Sequence, residues 1–129
     1  MKKMKKKYLY IQIEVYARDF PSRFLMALHA ASCNYEIILA PLNIIKKLAK
    51  ENKIPPGIMH NKDANYSEEF STVFNLLKSK NFIITAHDEE AGILQKSFKS
   101  FYEQRLSKKS FNYLDKFFCW GQREYDFLL

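Results

Sequence analysis

Three carboxylates stand side by side, as Asp88, Glu89 and Glu90, in the segment "TAHDEEAGIL". A carboxylate serves as a general base when its surroundings raise its pKa, and adjacent carboxylates raise one another's pKa unless a cation, a ligand or helix amides compensate them. The same acids would also suit the first turn of a helix, whose dipole favours negative charge. Gly92 follows closely and permits close approach of the backbone to a ligand. The residues thus fit either a functional loop or an acidic helix start.

His87 precedes these acids, which raises the question of a metal ion. A hard divalent ion would suit the carboxylates, whereas a zinc site needs more His or Cys side chains than the segment contains. The two cysteines, Cys33 and Cys119, lie far apart and show no metal-ligand spacing, as is typical of a reducing compartment. We therefore predict no metal site.

A second polar group follows the apolar run "YLYIQIEV" and contains Glu14, Arg18 and Asp19. Arg18 could hold a phosphate or carboxylate through two hydrogen bonds, or it could pair with one of the nearby acids. Neither a G-x-G-x-x-G segment nor a Walker loop follows the run, so a dinucleotide or P-loop nucleotide site is not indicated. We accordingly predict no cofactor.

Apolar runs rich in β-branched and aromatic residues predict five strands. They cover residues 8–15, 35–40, 58–60, 82–86 and 116–120. The first intervening segment carries helix-start residues at 19–22, has Phe24, Leu25 and Leu28 at helical spacing, and closes at Asn34. Further helices are predicted over residues 43–51, 67–80, 94–106 and 109–114, and from Gln122 onward.

Strands that alternate with helices predict an α/β fold, a Rossmann-like three-layer sandwich with a mostly parallel sheet of about five strands. The unmixed apolar run "FIITA" is typical of a strand buried on both faces. Ligands of such sheets bind in the crevice outside the carboxyl ends of the strands, which is where the polar residues described above fall. Trp120 and Gly121 follow the last strand, and the Trp could form a wall of that crevice or belong to the core.

The formal net charge of +7 arises mostly from five lysines in residues 1–7, and the rest of the chain is close to +2. A nucleic-acid surface would spread its basic residues over a face, so one terminal block does not indicate nucleic acid. We predict a solvated tail, with weak contact to anionic lipid as the alternative. No run reaches the roughly 18 apolar residues of a membrane span, and the start does not resemble a secretory signal. We expect a cytoplasmic location, with peripheral contact at the inner membrane as the alternative.

Several phrases occur in order along the chain: "YLYIQIEVYARDF", "YEIILA", "LAKENKIPPGI", "DEEAG" and "DKFFCWGQRE". In this order and spacing, the chain resembles the N-terminal part of bacterial surface carbohydrate biosynthesis proteins, which are similar to glycosyltransferases of the two-domain GT-B type. The resemblance implies that residues 8–129 form the Rossmann-like acceptor-side domain of a longer protein, without its C-terminal domain. Ala91 and Asn34 depart from the pattern, because glycine is common in relatives at both positions.

The resemblance also implies a function: transfer of a sugar to a sugar or lipid-linked glycan acceptor during surface polysaccharide assembly. A carboxylate would take the proton of the acceptor hydroxyl, and Glu90 or Asp88 is the candidate base. Substrate-binding positions are implied at Glu14, Arg18, Glu89, Gly92, Trp120 and Gly121. The nucleotide-sugar donor would bind mainly to the missing domain, so we expect this chain alone to be inactive or nearly so.

A stand-alone flavodoxin-like binding or signalling module is the alternative. A phosphoacceptor receiver needs an acidic pair after the first strand, an Asp after a central strand and a Lys after a late one. Glu14 with Asp19, then Asp88, and no lysine after "KFFCW" match that pattern poorly.

Overall fold

A computed structural model of the chain describes residues 6–65, 67–90, 100, 105, 106 and 108–128. Five strands form one sheet in which each neighbouring pair is parallel. The strands are β1 (Lys7–Gln12), β2 (Tyr35–Ala40), β3 (Ile58–Asn61), β4 (Ile83–Ala86) and β5 (Lys116–Phe117). Their order across the sheet is β2-β1-β3-β4-β5, which places β3 at the centre. The predicted α/β fold with a parallel sheet of five strands is confirmed.

Two strands end earlier than the sequence predicts. β1 ends at Gln12 because two backbone amides beyond it donate to the Asp19 carboxylate. β5 ends at Phe117 because the backbone of Trp120 has already turned to donate to the Glu124 carboxylate. The residues that extend the apolar patterns of β1 and β5 beyond Gln12 and Phe117 therefore lie outside the strands.

Helices connect the strands and follow the last one. They are α1 (Tyr16–Ser32), α2 (Leu42–Lys50), α3 (Glu68–Ser79), α4 (Lys108–Phe111) and α5 (Gln122–Leu128). The Ser67 hydroxyl accepts a hydrogen bond from the Phe70 amide at 3.1 Å and so caps α3, as its position in the sequence predicts. The predicted helix over 94–106 lies mostly outside the described residues. Within this range, Ser100 and Arg105 are described as helical.

Helix α1 begins at Tyr16, so the predicted start at 19–22 is wrong. The Asp19 carboxylate accepts two backbone amides at 2.9 Å each, which fixes the turn that leads into the helix. Pro21 consequently lies inside the helix rather than at its first turn. The predicted close at Asn34 is confirmed by its left-handed φ of 63°.

The side of α1 that faces the sheet is largely polar. Its buried residues are Asp19, Arg23 and Ala27, which recur every four residues. Phe24 and Leu28, whose spacing predicts the helix, are 45% and 54% exposed. The apolar pattern therefore identifies the helix but not the side that it buries.

The main apolar core lies on the sheet face that α2 and α3 cover. The buried side chains of this core are Tyr10, Ile45, Ala49, Met59, Val73, Phe74, Leu77, Phe82 and Ile84. On the opposite face α1 packs mainly on β1 and β2. Ile83, in β4, is left 51% exposed on that face, so the prediction that "FIITA" is buried on both faces is wrong for this residue.

The start of β1 includes part of the predicted basic tail. Lys6 pairs with Glu36, and the Lys7 ammonium lies 5.6 Å from the centre of the Tyr35 ring. Residues 1–5 lie outside the described residues. None of the helices described here combines the length and the apolar character that crossing a membrane requires.

Gly57 is packed against the backbone of β1. A Cβ atom at this position would lie 2.5 Å from the Tyr8 carbonyl oxygen and 2.7 Å from the Tyr8 Cβ. Because a strand must shift to accommodate it, we expect Gly57→Ala to lower the free energy of unfolding by about 1–3 kcal/mol. Urea unfolding followed by circular dichroism measures the change.

Gly121 provides the matched control, since a Cβ there meets nothing within 4 Å. We expect Gly121→Ala to cost less than about 1 kcal/mol. Equal losses for the two variants would contradict the close packing of β1 on Gly57.

Candidate functional site

A cavity of about 590 Å³ opens at the carboxyl ends of β1, β3 and β4. We call it the crevice. It is lined by charged and aromatic side chains and one serine: Arg18, Asp19, Ser22, Arg23, Lys62, Asp63, His87, Glu89, Glu90, Arg105 and Trp120. Its location is the one that the parallel sheet predicts.

Asp19, in the first turn of α1, lines the crevice and is 3% exposed. Burial alone would raise its pKa, but hydrogen bonds from Arg18 and from the amides of Val15 and Glu14 outweigh burial and hold the pKa well below the usual range. Arg18 donates to Asp19 at 2.7 Å and to Glu14 at 3.2 Å. The sequence allows Arg18 either to bind an anionic ligand or to pair with a nearby acid, and in the structure it forms the ion pair.

Glu14 connects the loop after β1 with the loop after β3. Its carboxylate pairs with Lys62 as well as with Arg18. The hydrogen bond from Lys62 is the main reason why the pKa of Glu14 is lowered, with burial acting against it and Arg18 adding to it. Glu14 does not itself line the crevice but holds two of its cations in place.

Asp88 lies beneath the crevice and is fully buried. Arg105 donates to both of its carboxylate oxygens, at 2.9 and 3.2 Å, and the Glu90 amide donates to it at 2.9 Å. The Glu90 carboxylate, which is about half exposed, accepts a further bond from Arg105 at 2.7 Å. One arginine therefore supplies the compensating cation that two of the three adjacent acids require.

The third acid, Glu89, pairs with Arg23 from α1. Arg23 is only 4% exposed, and its Nε is buried without a hydrogen-bond partner among the described residues. The sequence does not single out Arg23, because this residue lies within a helix that is predicted from its apolar residues. Its spacing of four residues from Asp19 is the signal that could have found it.

Asp63 is a second site residue that the sequence does not single out. It follows β3, the central strand, lines the crevice and is 8% exposed. Burial raises its pKa, although the Asn65 amide and Lys62 act in the opposite direction. A carboxyl group with a raised pKa is therefore found at Asp63, in a loop that the sequence shows only as polar, whereas the sequence predicts one among residues 88–90.

Aromatic rings close one side of the crevice. The rings of His87 and Trp120 lie 4.9 Å apart between centres, and the indole Nε1 of Trp120 donates to the Asp88 carbonyl. Trp120 is 57% exposed, so it forms a wall of the crevice and is not a core residue. Gly121 does not line the crevice, and Gly92 lies outside the described residues.

The crevice offers hydrogen-bond donors and acceptors in about equal number. Four cations and four carboxyl groups line it, and Glu14 and Asp88 stand behind them. Within the described part of the chain, no cluster of three His, Cys, Asp or Glu side chains is arranged to hold a metal ion. The site is suited to binding a polar ligand through many fixed contacts.

The sheet order and the crossing helices define a flavodoxin-like α/β protein. The chain is similar to a CheY-like response regulator protein from Mesorhizobium loti, with a TM-score of 0.50 and 11% identity over 96% of this chain and 94% of that one. It is equally similar to a 3-dehydroquinate dehydratase-like protein from Bifidobacterium longum, with a TM-score of 0.50 and 12% identity over 96% and 91% of the two chains. These identities establish the fold alone.

No protein-family model matches the sequence, and no match was found among curated proteins. The resemblance to surface carbohydrate biosynthesis proteins therefore stays a prediction.

The ion pair between Arg105 and Asp88 can be tested by removing one charge or both. Arg105→Met leaves a fully buried carboxylate without its cation, so we expect a loss of about 3–5 kcal/mol in the free energy of unfolding. Adding Asp88→Asn should regain most of this loss, because no buried charge remains. Urea unfolding of the single and double variants measures both effects.

Lys78→Met is the matched control, since the pair between Lys78 and Asp115 is over one third exposed on each side. We expect it to cost less than about 1 kcal/mol. A cost for Arg105→Met no greater than this control would contradict a structural role for the buried pair.

His60, at the end of β3, gives the protein a pH-dependent stability. Burial, aided by the charges of Arg23 and His87, lowers its pKa from 6.5 to about 4. The unfolded chain therefore binds this proton more tightly, so stability should rise by about 3 kcal/mol as the pH increases from about 4 to about 6.5, and this contribution should stay constant above that window. The free energy of unfolding, measured in urea at several pH values across the window, should rise less steeply with pH for His60→Gln than for the unaltered protein. An equal rise with pH in both proteins would refute the assignment.

Proposed function

We propose that this chain is a flavodoxin-like binding module whose crevice takes an uncharged ligand with several hydroxyl groups, such as a sugar. The observation that carries the proposal is the combination of mutually paired charges with an exposed indole in one crevice. Each part favours a different feature of the ligand.

The paired charges favour a neutral ligand. Arg18 pairs with Asp19, Arg23 with Glu89, and Arg105 with Glu90, so each guanidinium already has a carboxylate beside it. Such a site lacks the excess positive charge that a diphosphate or another polyanion would require. A hydroxyl group both donates and accepts hydrogen bonds, so it can use either member of each pair.

The exposed indole favours a ligand with one apolar face. Trp120 is held at two points, because its backbone amide donates to Glu124 and its indole nitrogen donates to Asp88. A rigid aromatic ring offers a large contact area at a low cost in conformational entropy. A sugar ring can lie with its C–H face against the indole while its hydroxyls reach the paired charges.

A glycan acceptor of a transferase is the narrower form of this proposal. Support comes from Glu90, which lines the crevice, is half exposed and is oriented by Arg105. In this role Glu90 would accept the proton of the acceptor hydroxyl, while Asp88, buried behind it, would position Arg105. The nucleotide-sugar donor would then bind to a domain beyond this chain.

The signalling form of the module is favoured by the fold that the chain shares with the CheY-like response regulator protein, but the site residues match a phosphoacceptor receiver only in part. Asp63 follows the central strand, where a phosphoacceptor would stand, but Phe118 and Cys119 follow β5 in place of a lysine. Glu14, which would belong to the acidic pair after β1, is bound to Lys62 and Arg18.

Sugar binding can be read directly, because Trp120 is the only Trp in the chain. A glycan array would identify the best sugar, and titration of that sugar should then change the emission of Trp120 in a saturable way. Inorganic diphosphate should leave the emission unchanged. A response to diphosphate at lower concentration than to any sugar, or an array without binding, would overturn the proposal.

The contribution of the indole is measured by calorimetry on Trp120→Ala. We expect at least tenfold weaker sugar binding, since stacking on an aromatic ring is worth about 1–3 kcal/mol for planar ligands. Tyr125→Ala is the control, because Tyr125 is 50% exposed on α5 but does not line the crevice. Equal losses in the two variants would place the sugar elsewhere.

A further inference from the structure

A second cavity, of about 610 Å³, lies on the sheet face that α1 leaves partly uncovered. We call it the apolar groove. Its floor is formed by Leu9, Ile58 and Ile83, which are register neighbours on β1, β3 and β4. Met26 of α1 and Phe118, after β5, also line the groove.

Large apolar side chains of the groove remain in contact with solvent. Ile83 and Phe118 are each 51% exposed, and Met26 is 39% exposed. A methionine at such a surface adapts to the shape of an apolar ligand. The exposed area is therefore concave and apolar, which is the character of a ligand site and not of an ordinary surface.

One polar row crosses this apolar floor. His60, Thr85 and Lys116 are register neighbours on β3, β4 and β5, and all three line the groove. The His60 Nδ1 lies 2.9 Å from the Thr85 hydroxyl, while its Nε2 is buried without a hydrogen-bond partner among the described residues. Lys116 is exposed and makes no ion pair with any other described residue. The row thus ends in a cation that pairs with no carboxylate of the described residues.

The groove is also long. Its lining includes residues from all five strands, from Tyr35 on β2 to Lys116 on β5. With neighbouring strands about 4.8 Å apart, this corresponds to roughly 19 Å. An extended chain fits this shape better than a compact ring system does.

We propose that the apolar groove binds a long-chain fatty acid. The acyl chain lies across Leu9, Ile58 and Ile83, and the carboxylate pairs with Lys116 at the end of the polar row. A carboxylate is a group with which the exposed ammonium of Lys116 can pair, and the half-exposed apolar side chains gain burial against the acyl chain. Of the residues given for the two linings, the groove shares His87 alone with the crevice, so this proposal does not rest on the proposed function.

Calorimetry with tetradecanoate, below the concentration at which it forms micelles, tests the proposal. We expect saturable binding of one molecule per chain, weakened at least tenfold in Lys116→Glu and by a smaller factor in Lys116→Gln. Lys47→Glu is the matched control, because Lys47 is an exposed lysine of α2 that does not line the groove. It should bind tetradecanoate like the unaltered protein.

Two further measurements separate the fatty acid from other occupants. Tetradecanol should bind at least tenfold more weakly than tetradecanoate, and equal binding would refute the pairing with Lys116. Light scattering should find no dimer that competes with the ligand. A dimer that forms through the groove and excludes tetradecanoate, or a lack of tetradecanoate binding, would overturn the proposal.

Discussion

The Asp19 carboxylate determines how the first helix meets the sheet. It accepts the two amides that follow β1 and the Arg18 guanidinium, so the chain turns into α1 several residues before the Pro that would otherwise start a helix. With Asp19 directed inward, Arg23 and Ala27 must also face the sheet, because they lie one and two turns further along the same side. Arg23 then reaches Glu89 after β4. The shape of the crevice and the exposed apolar side of α1 both follow from this one buried carboxylate.

Two carboxyl groups in the crevice have opposite pKa shifts although both are buried. Asp19 is surrounded by donors, two amides and a guanidinium, and its pKa is lowered. Asp63 has one weak amide contact, and its pKa is raised. The difference shows that burial sets the sign of a shift only where hydrogen bonds to the charged form are few. The crevice thus contains one carboxylate that keeps its charge to lower pH than usual and one carboxyl group whose proton is held more tightly.

The strands and their parallel direction could be predicted from the sequence, because short apolar runs alternate with helical segments. The position of the acidic loop at the edge of the crevice followed from the same rule, since all parallel strands end on the same side. The inward side of α1 could not be predicted in this way, because its apolar residues point to the side that remains exposed. The position of Asp63 in the crevice could not be predicted without the strand order, which shows that β3 is central. The exposure of Ile83 could not be predicted without knowing how far α1 extends over the sheet.

His87 belongs to the lining of both the crevice and the apolar groove. Its ring packs against Trp120 on one side and stacks with His60 on the other. A ligand that displaces this ring in one cavity changes the free energy of occupying the other cavity. By thermodynamic linkage, the second ligand must then alter the affinity for the first by the same factor. A ligand that displaced the shared imidazole would therefore make the affinities of the two cavities depend on each other.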